Sequence, residues 1–272
     1  MAPGYRSAIR PLAGGHLEAP MHDLGFRFTW YGHSCVELET PAGTRVLFDP
    51  WFRNPRSPVA PEAVDRCDLM LVSHGHFDHL GGDIGGLDEA DAVRIAARLA
   101  PAWVTVHELS LWLPSRLPEA AAGRVVGMNA GGTVAAAGLR VTMVRAHHSA
   151  GDWVPGAGVP LYLGEPVGFV LELEDRTRIY FAGDTDVYGD MRIIAELSRP
   201  TVAFLPIGDH YTMSPRGAAM AAGLLGVRTV VPIHYGTFPI LTGTPEALRG
   251  ELKARGLEGV TVLAPEPGAT VG

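Results

Sequence analysis

The 272-residue chain predicts an α/β fold of two mixed β-sheets packed face to face, with helices outside. Three observations carry this expectation. Each half of the chain begins with antiparallel strands and continues with strands that alternate with helices. Several strands, such as CDLMLVS (67–73) and TVAFLPI (201–207), are almost continuously apolar, as strands covered on both faces are. Five apolar strands also end in His or Asp, so polar chemistry collects at one kind of position.

The elements follow in order. The first 25 residues are rich in Gly and Pro and read as a flexible or surface arm, in which His16 and His22 are expected to have no catalytic role. Residues 26–272 read as one domain with no splitting linker. FRFTWY (26–31), CVELET (35–40) and TRVLFD (44–49) form an antiparallel start, with a turn at Pro41-Ala42-Gly43. CDLMLVS ends directly at His74. A helix follows over about 89–99, bounded by Pro101, then the strand WVTVH (103–107) and a helix over 108–114 stopped by Pro114. RVVGM (124–128) and LRVTMVRA (139–146) are strands around the turn-forming Asn129-Ala130-Gly131-Gly132. Residues 149–166 read as a loop. VGFVLELE (167–174) and RIYFAG (178–183) form a hairpin about Asp175-Arg176. A helix near 191–197, the strand TVAFLPI, a helix over 215–225, the strand RTVVPIH (228–234) and a helix over 245–255 with Pro at its start complete the pattern before the closing strand VTVLAP.

Bulk properties narrow the function. Lys plus Arg number 22 against 29 Asp plus Glu, a formal charge of -7, and no basic run is present. Nucleic-acid binders gain affinity by neutralising phosphates, so this balance argues against that role. No apolar run reaches the roughly 20 residues of a membrane span, and the N-terminal segment has no continuous apolar signal core. Cys35 and Cys67 are too few for a disulfide framework and read as buried free thiols. Together these point to the cytoplasm.

The strand ends are LFD (Asp49), LMLVSH (His74), VTMVRAHH (His147, His148), IYFAGD (Asp184) and VVPIH (His234). The sharpest segment is His74-x-His76-x-Asp78-His79. Imidazole nitrogens suit borderline metals such as zinc, manganese and iron, and a carboxylate adds charge and an oxygen donor. Four donors within six residues on a tight Gly-containing loop can serve two adjacent ions. Asp49 is either an acceptor for a ligand histidine or a turn Asp before Pro50. His107 is expected to end a strand without a catalytic role. The five tryptophans are expected in the core or in pocket walls, with Trp153 the best placed for a lid contact.

H-x-H-x-D-H after an apolar strand resembles the hallmark of the metallo-β-lactamase superfamily. The chain is more narrowly similar to small metal-dependent hydrolases related to L-ascorbate-6-phosphate lactonase and N-acylphosphatidylethanolamine phospholipase D. The matching stretches are Trp30-Tyr31-Gly32-His33-Ser34, Asp49-Pro50, SHGHFDHLGG, MNAGGT, AHHS, YFAGDTDVYGDM, LPIGDHYTMSP and PIHYGTFP, which span roughly residues 26–245. The resemblance implies a four-layer αβ/βα sandwich of two mixed sheets. It implies that His74, His76 and His148 hold one divalent metal ion, that Asp78, His79 and His234 hold a second, and that Asp184 bridges them. His148 is chosen over His147 because related sequences place the ligand directly before Ser or Trp; His147 would face away along the strand. His33 and His210 lie in segments that match the family near its active site. Either can orient substrate or donate to a developing oxyanion, or be a structural histidine. Tyr211, Thr212 and Tyr235 have weaker claims of the same kind.

The implied activity is hydrolysis by a metal-activated water, with Asp78 able to take a proton or orient the nucleophile. Zinc or manganese fits best, and iron is compatible. The lactonase kinship tilts the substrate towards a lactone or other small-molecule ester. The alternatives are a phosphodiester on the same site, or an iron-dependent oxygenase or oxidoreductase. The diiron reading is weakened because such members commonly have Glu where this chain has His76. No nucleic acid or membrane partner is expected, and a homo-oligomer is compatible with the sequence.

Overall fold

The computed structural model describes residues 24–83, 86–153 and 158–272. Most of the expected N-terminal arm, including His16 and His22, lies outside the described residues. Strand β1 (Arg27–Trp30) pairs antiparallel with β2 (Val36–Glu39), and β2 with β3 (Arg45–Phe48). β4 (Leu69–Leu71) lies parallel to β3 and leads into helices α1 (Phe77–Leu80) and α2 (Asp91–Leu99). β5 (Ala102–Val106) continues the parallel run, and helices α3 (His107–Trp112) and α4 (Glu119–Ala122) lead to β6 (Val125–Met128) beside it.

The second sheet opens with the hairpin β7 (Thr133–Ala136) and β8 (Leu139–Arg145). A small ribbon, β9 (Asp152–Trp153) with β10 (Pro160–Leu161), stands apart from both sheets. β11 (Val167–Glu172) pairs antiparallel with β8 and with β12 (Arg178–Phe181). Helix α5 (Met191–Ser198), β13 (Val202–Pro206), helix α6 (Pro215–Leu225), β14 (Thr229–Ile233), helix α7 (Pro245–Ala254) and β15 (Thr261–Val262) follow, with β12 to β15 all parallel. Finally β16 (Thr270–Val271) crosses back to pair with β1. Each sheet is thus antiparallel at one side and parallel at the other, as the repeated mixture of elements predicts.

The sheets meet through aromatic contacts. Phe48 of β3 stacks on Phe181 of β12 at 4.5 Å, and Phe28 of β1 meets Phe204 of β13 edge-on at 5.3 Å. These belong to one continuous buried cluster drawn from both sheets and the helices. Such burial is the main favourable term in folding, about 25 cal/mol per Å² of apolar surface. Helix ends are set by local chemistry. Ser214 and Thr244 cap α6 and α7 by accepting from the backbone N–H of Gly217 and Ala247, and Pro215 and Pro245 occupy the first turn where no N–H is needed.

Several elements differ from the sequence expectation. The His74–His79 segment, read as a loop, contains the single turn of α1, which Gly81 ends in the left-handed region at φ 88°. The loop over 149–166 contains the β9–β10 ribbon. β7, half of it alanine, is not expected as a strand from the sequence, yet it pairs with β8 through Ala137-Gly138, both at positive φ as a two-residue hairpin turn requires. β16 is only two residues long and exists because β1 offers it an edge. No helix among the described residues is long and apolar enough to cross a membrane.

Candidate metal centre

The parallel strands and β8 deliver their C-terminal ends to one rim. Asp49 follows β3, Ser73 and His74 follow β4, His147 and His148 follow β8, Asp184 follows β12, and His234 follows β14. Strand pairing inside the sheets holds the backbone just before each of these residues, so the rim positions side chains from five strands. Asp49, His33 and His234 all have positive φ, at 40°, 52° and 54°. Backbone strain of this kind in residues other than glycine persists only where the surroundings enforce it. Here the N–H of His234 donates to the carbonyl of His33 at 2.8 Å and ties the two turns together.

Eight donor side chains converge. His74, His76 and His148 form one group, with His74 Nε2 2.9 Å from His76 Nδ1. Asp78, His79 and His234 form a second, which His33 joins. Between the groups lies Asp184 Oδ2, at 3.0 Å from His234 Nε2, 3.3 Å from His79 Nε2 and 3.5 Å from His148 Nε2. Asp184 itself is essentially buried.

One carboxylate behind the cluster sets the tautomers of two histidines. Asp49 Oδ1 accepts from the backbone N–H of Ser73 at 2.7 Å. Its Oδ2 accepts from the Ser73 hydroxyl and from His79 Nδ1, each at 2.7 Å. The Ser73 oxygen, having donated its proton to Asp49, accepts from His74 Nδ1 at 2.9 Å. Both imidazoles therefore commit Nδ1 behind the cluster and turn Nε2 towards it. Gly183, at φ 60°, allows this packing, because a Cβ there would stand 2.6 Å from Ser73 Cβ.

His33 plays a similar part for Asp78. Its Nε2 lies 3.0 Å from Asp78 Oδ2 and its Nδ1 3.0 Å from the Thr237 hydroxyl. Burial, reinforced by the neighbouring His234, pushes its pKa down to about 4. The ring is thus neutral, with Nε2–H donating to Asp78 and Nδ1 accepting from Thr237.

Burial and neighbouring histidines also lower His74 far below its ordinary value, and His76 to about 4. Burial lowers His148 as well. Neutral imidazoles with free lone pairs are the form that ligates a metal. Burial opposes ionisation of Asp184, but His234 and His79 outweigh it and hold its carboxyl well below the usual range. Burial likewise opposes the charge on Asp78, and the His33 hydrogen bond and His79 outweigh it. His79 goes the other way. Although burial disfavours a proton on it, Asp184 and Asp49 on its two sides raise its pKa well above normal.

A cation would answer this arrangement. Asp184 Oδ1 is buried without a hydrogen-bond partner, and His79 Nε2 has no aligned one beyond its ion-pair contact with Asp184 Oδ2 at 3.3 Å. Buried charges and orphaned polar atoms are costly unless paired or bound to a metal. Nitrogen and carboxylate donors in this mixture suit zinc, manganese or iron.

Above the cluster opens a cavity of about 710 Å³. Its floor is His76, Asp78, His148, Asp184 and His234. Its walls include Phe77, Trp153, Pro160, Tyr211, Phe238 and Ile240. Trp153 therefore stands on the wall, as its loop position suggested. His210 does not join the cluster. It is exposed at φ 56°, its ring lies edge-on to Tyr211, and Tyr211 rather than His210 lines the cavity. His33 is completely buried and touches Asp78, not the cavity. His147 stacks on Tyr188 at 4.4 Å, outside the cluster. Tyr235 stacks on Trp30 at 5.0 Å, beneath the guanidinium of Arg56, and His107 is exposed at the start of α3. Cys35 and Cys67 are buried free thiols, whose pKa burial raises. The sequence reading did not single out Ser73, Thr237, Phe238 or Ile240. Ser73 had two signals, its place between a strand and His74 and its membership of the matching stretch SHGHFDHLGG; Thr237 and Phe238 fall within the matching stretch PIHYGTFP, and Ile240 had none.

A family model described as a β-lactamase superfamily domain matches residues 44–235. Its match, the two stacked mixed sheets and the His/Asp cluster at their rim define a metal-dependent hydrolase of the metallo-β-lactamase superfamily. A UPF0173 metal-dependent hydrolase of Koribacter versatilis is 44% identical over 225 residues, covering 82% of this chain and 90% of that one. Another, of Rubrobacter xylanophilus, is 42% identical and covers 91% of this chain and 97% of its own length. The chain belongs to this family of UPF0173 metal-dependent hydrolases. Among solved structures it is similar to Igni18, a metallo hydrolase of the archaeon Ignicoccus hospitalis (33% identity, TM-score 0.76, 90% of this chain and 97% of that one). It shares its fold with the metallo-β-lactamase fold protein YhfI of Bacillus subtilis (15% identity, TM-score 0.59, 90% of this chain and 98% of that one).

Proposed function

We propose that the protein hydrolyses a lactone or other small-molecule ester with a pair of divalent metal ions, zinc or manganese by preference and iron as a compatible substitute. His74, His76 and His148 would hold one ion, Asp78, His79 and His234 the other, and Asp184 both. The observation that carries this reading is the position of Asp184 Oδ2, within 3.5 Å of one histidine of the first group and two of the second. Bound there, a metal pair supplies Lewis acidity and brings the pKa of a water towards neutrality.

The chain's own residues do the rest. Asp49 and Ser73 fix the orientation of His74 and His79. His33 holds Asp78 by one oxygen and leaves the other to accept or orient a proton at the cavity floor. The apolar walls limit water around the reacting carbonyl, which strengthens electrostatic interactions there. The ester, rather than a phosphodiester, is supported by the resemblance to the lactonase branch. A cytoplasmic location is supported by the two unpaired thiols. The continuous core supports residues 26–272 as one domain.

The test is metal analysis of the purified protein beside a hydrolysis screen of lactones, esters, thioesters and phosphodiesters, with H74A and D184A as variants. The reading expects two equivalents of metal, metal-dependent turnover of an ester or lactone, and loss of both properties in each variant. Full activity in either variant overturns the ligand assignment. Turnover of phosphodiesters alone overturns the substrate.

A further inference from the structure

The walls of the cavity carry information that the metal ligands do not. Beyond the floor, the described lining presents Phe77, Trp153, Pro160, Tyr211, Phe238 and Ile240. Trp153, Tyr211 and Ile240 keep 45%, 58% and 43% of their surface exposed, so large apolar groups extend from the floor to the mouth. Exposed apolar surface gathered at a concave site marks a place where something apolar binds.

Charge points the same way. No Lys or Arg lies among the described lining residues. Apart from the floor, the charged side chain among them is Asp152, an acid. An anionic group held against this wall, away from the metals, would lose hydration without gaining a counterion from the described lining residues. The lactonase branch takes part of its name from a phosphorylated lactone, and the described residues of this wall offer such a phosphate no cation.

We infer that the substrate is an uncharged ester or lactone carrying an apolar acyl or aryl group, seated against Trp153, Phe238 and Ile240 with its carbonyl at the floor. The ester part rests on the function proposed above; the uncharged, apolar part rests on the wall alone. Each methylene of the group that leaves water should tighten binding about fourfold.

Binding and turnover test the two parts separately. The full-length, metal-loaded protein is titrated by calorimetry with neutral n-alkanamides from acetamide to octanamide, and with adipamate, which ends a chain of hexanamide length in a carboxylate. The expected result is a Kd that falls about three- to fourfold per methylene, with adipamate at least tenfold weaker than hexanamide. W153A and I240S, both at partly exposed positions, should flatten the chain-length dependence while melting like the parent protein. A Kd independent of chain length, or adipamate binding as tightly as hexanamide, overturns the inference whatever the turnover shows. In parallel, 4-nitrophenyl esters of the same chain lengths are assayed. Binding as expected with no ester or lactone turnover overturns the ester reading and leaves the apolar, uncharged class standing.

Discussion

Replacing Asp49 with Asn tests how the cluster is oriented while barely changing the shape of the site. The carboxylate accepts three hydrogen bonds at 2.7 Å, from the Ser73 backbone, the Ser73 hydroxyl and His79 Nδ1. An amide has one accepting and one donating end. If the NH2 replaces Oδ2, it confronts the Ser73 hydroxyl and His79 Nδ1–H; if it replaces Oδ1, it confronts the Ser73 N–H. Relief in the first case requires His79 to move its proton to Nε2, which blocks that nitrogen for a metal. Relief in the second requires Ser73 to shift and carry His74 with it. Partners that orient metal-ligating histidines are typically worth about 10- to 100-fold in metal affinity, or about 1.4–2.8 kcal/mol. Because Asp49 is fully buried, water cannot stand in for it. The assay is a competition titration of zinc between the protein and a fluorescent chelator, with a thermal melt to show that D49N is folded. D49N binding two equivalents of zinc with parent affinity would refute the proposed control of tautomer.

H33N keeps a residue tolerant of positive φ but loses the reach to Asp78; activity should fall about 10- to 100-fold, mostly in kcat, and unchanged kcat would reduce His33 to a filler. G75A places a Cβ 2.6 Å from Leu163 Cβ, and overpacking of this kind costs about 1–3 kcal/mol, so a urea melt should show a clear loss; equal midpoints would refute the contact. The chelator-stripped protein should lose stability as pH falls from about 6.5 to 4. His33 and His76 take up protons in the unfolded chain at 6.5 but only near 4 when folded, so the unfolded state binds more protons in that window. His33 alone contributes on the order of 3 kcal/mol there. The raised His79 has the opposite sign, since its contribution is present below 6.5 and lost as pH rises. With His74 and His148 also lowered, the net direction is destabilisation in acid; a Tm that is flat or rises towards pH 4 would refute it.

The layered fold and most of its elements were legible because hydrophobic patterning and turn residues are local. CDLMLVS, TVAFLPI and RTVVPIH are apolar on both faces because sheet and helix cover them from two sides. The metal-competent residues were legible for a related reason, since a strand ends where its apolar run stops and the side chains next in line face the rim. Local patterns carry no information about which distant segments meet. Thr237, Phe238 and Ile240 lie in an irregular stretch after His234, and only the packing of that stretch puts Thr237 against His33 and the other two on the cavity wall. His33 and His210 show the same limit. Both fall in suggestive segments, yet one is buried behind Asp78 and the other points to solvent.

The sequence by itself therefore determined the layers, the strand ends and the donor types, because these follow from periodicity and from the chemistry of single residues. Tertiary structure decided that Asp184 stands between two groups of histidines, that Asp49 reaches both His74, through Ser73, and His79, and that the cavity above them is walled by aromatic and aliphatic groups without a cation among the described residues. Those are distances between strands and loops far apart in the chain, and they are fixed by how the two sheets pack.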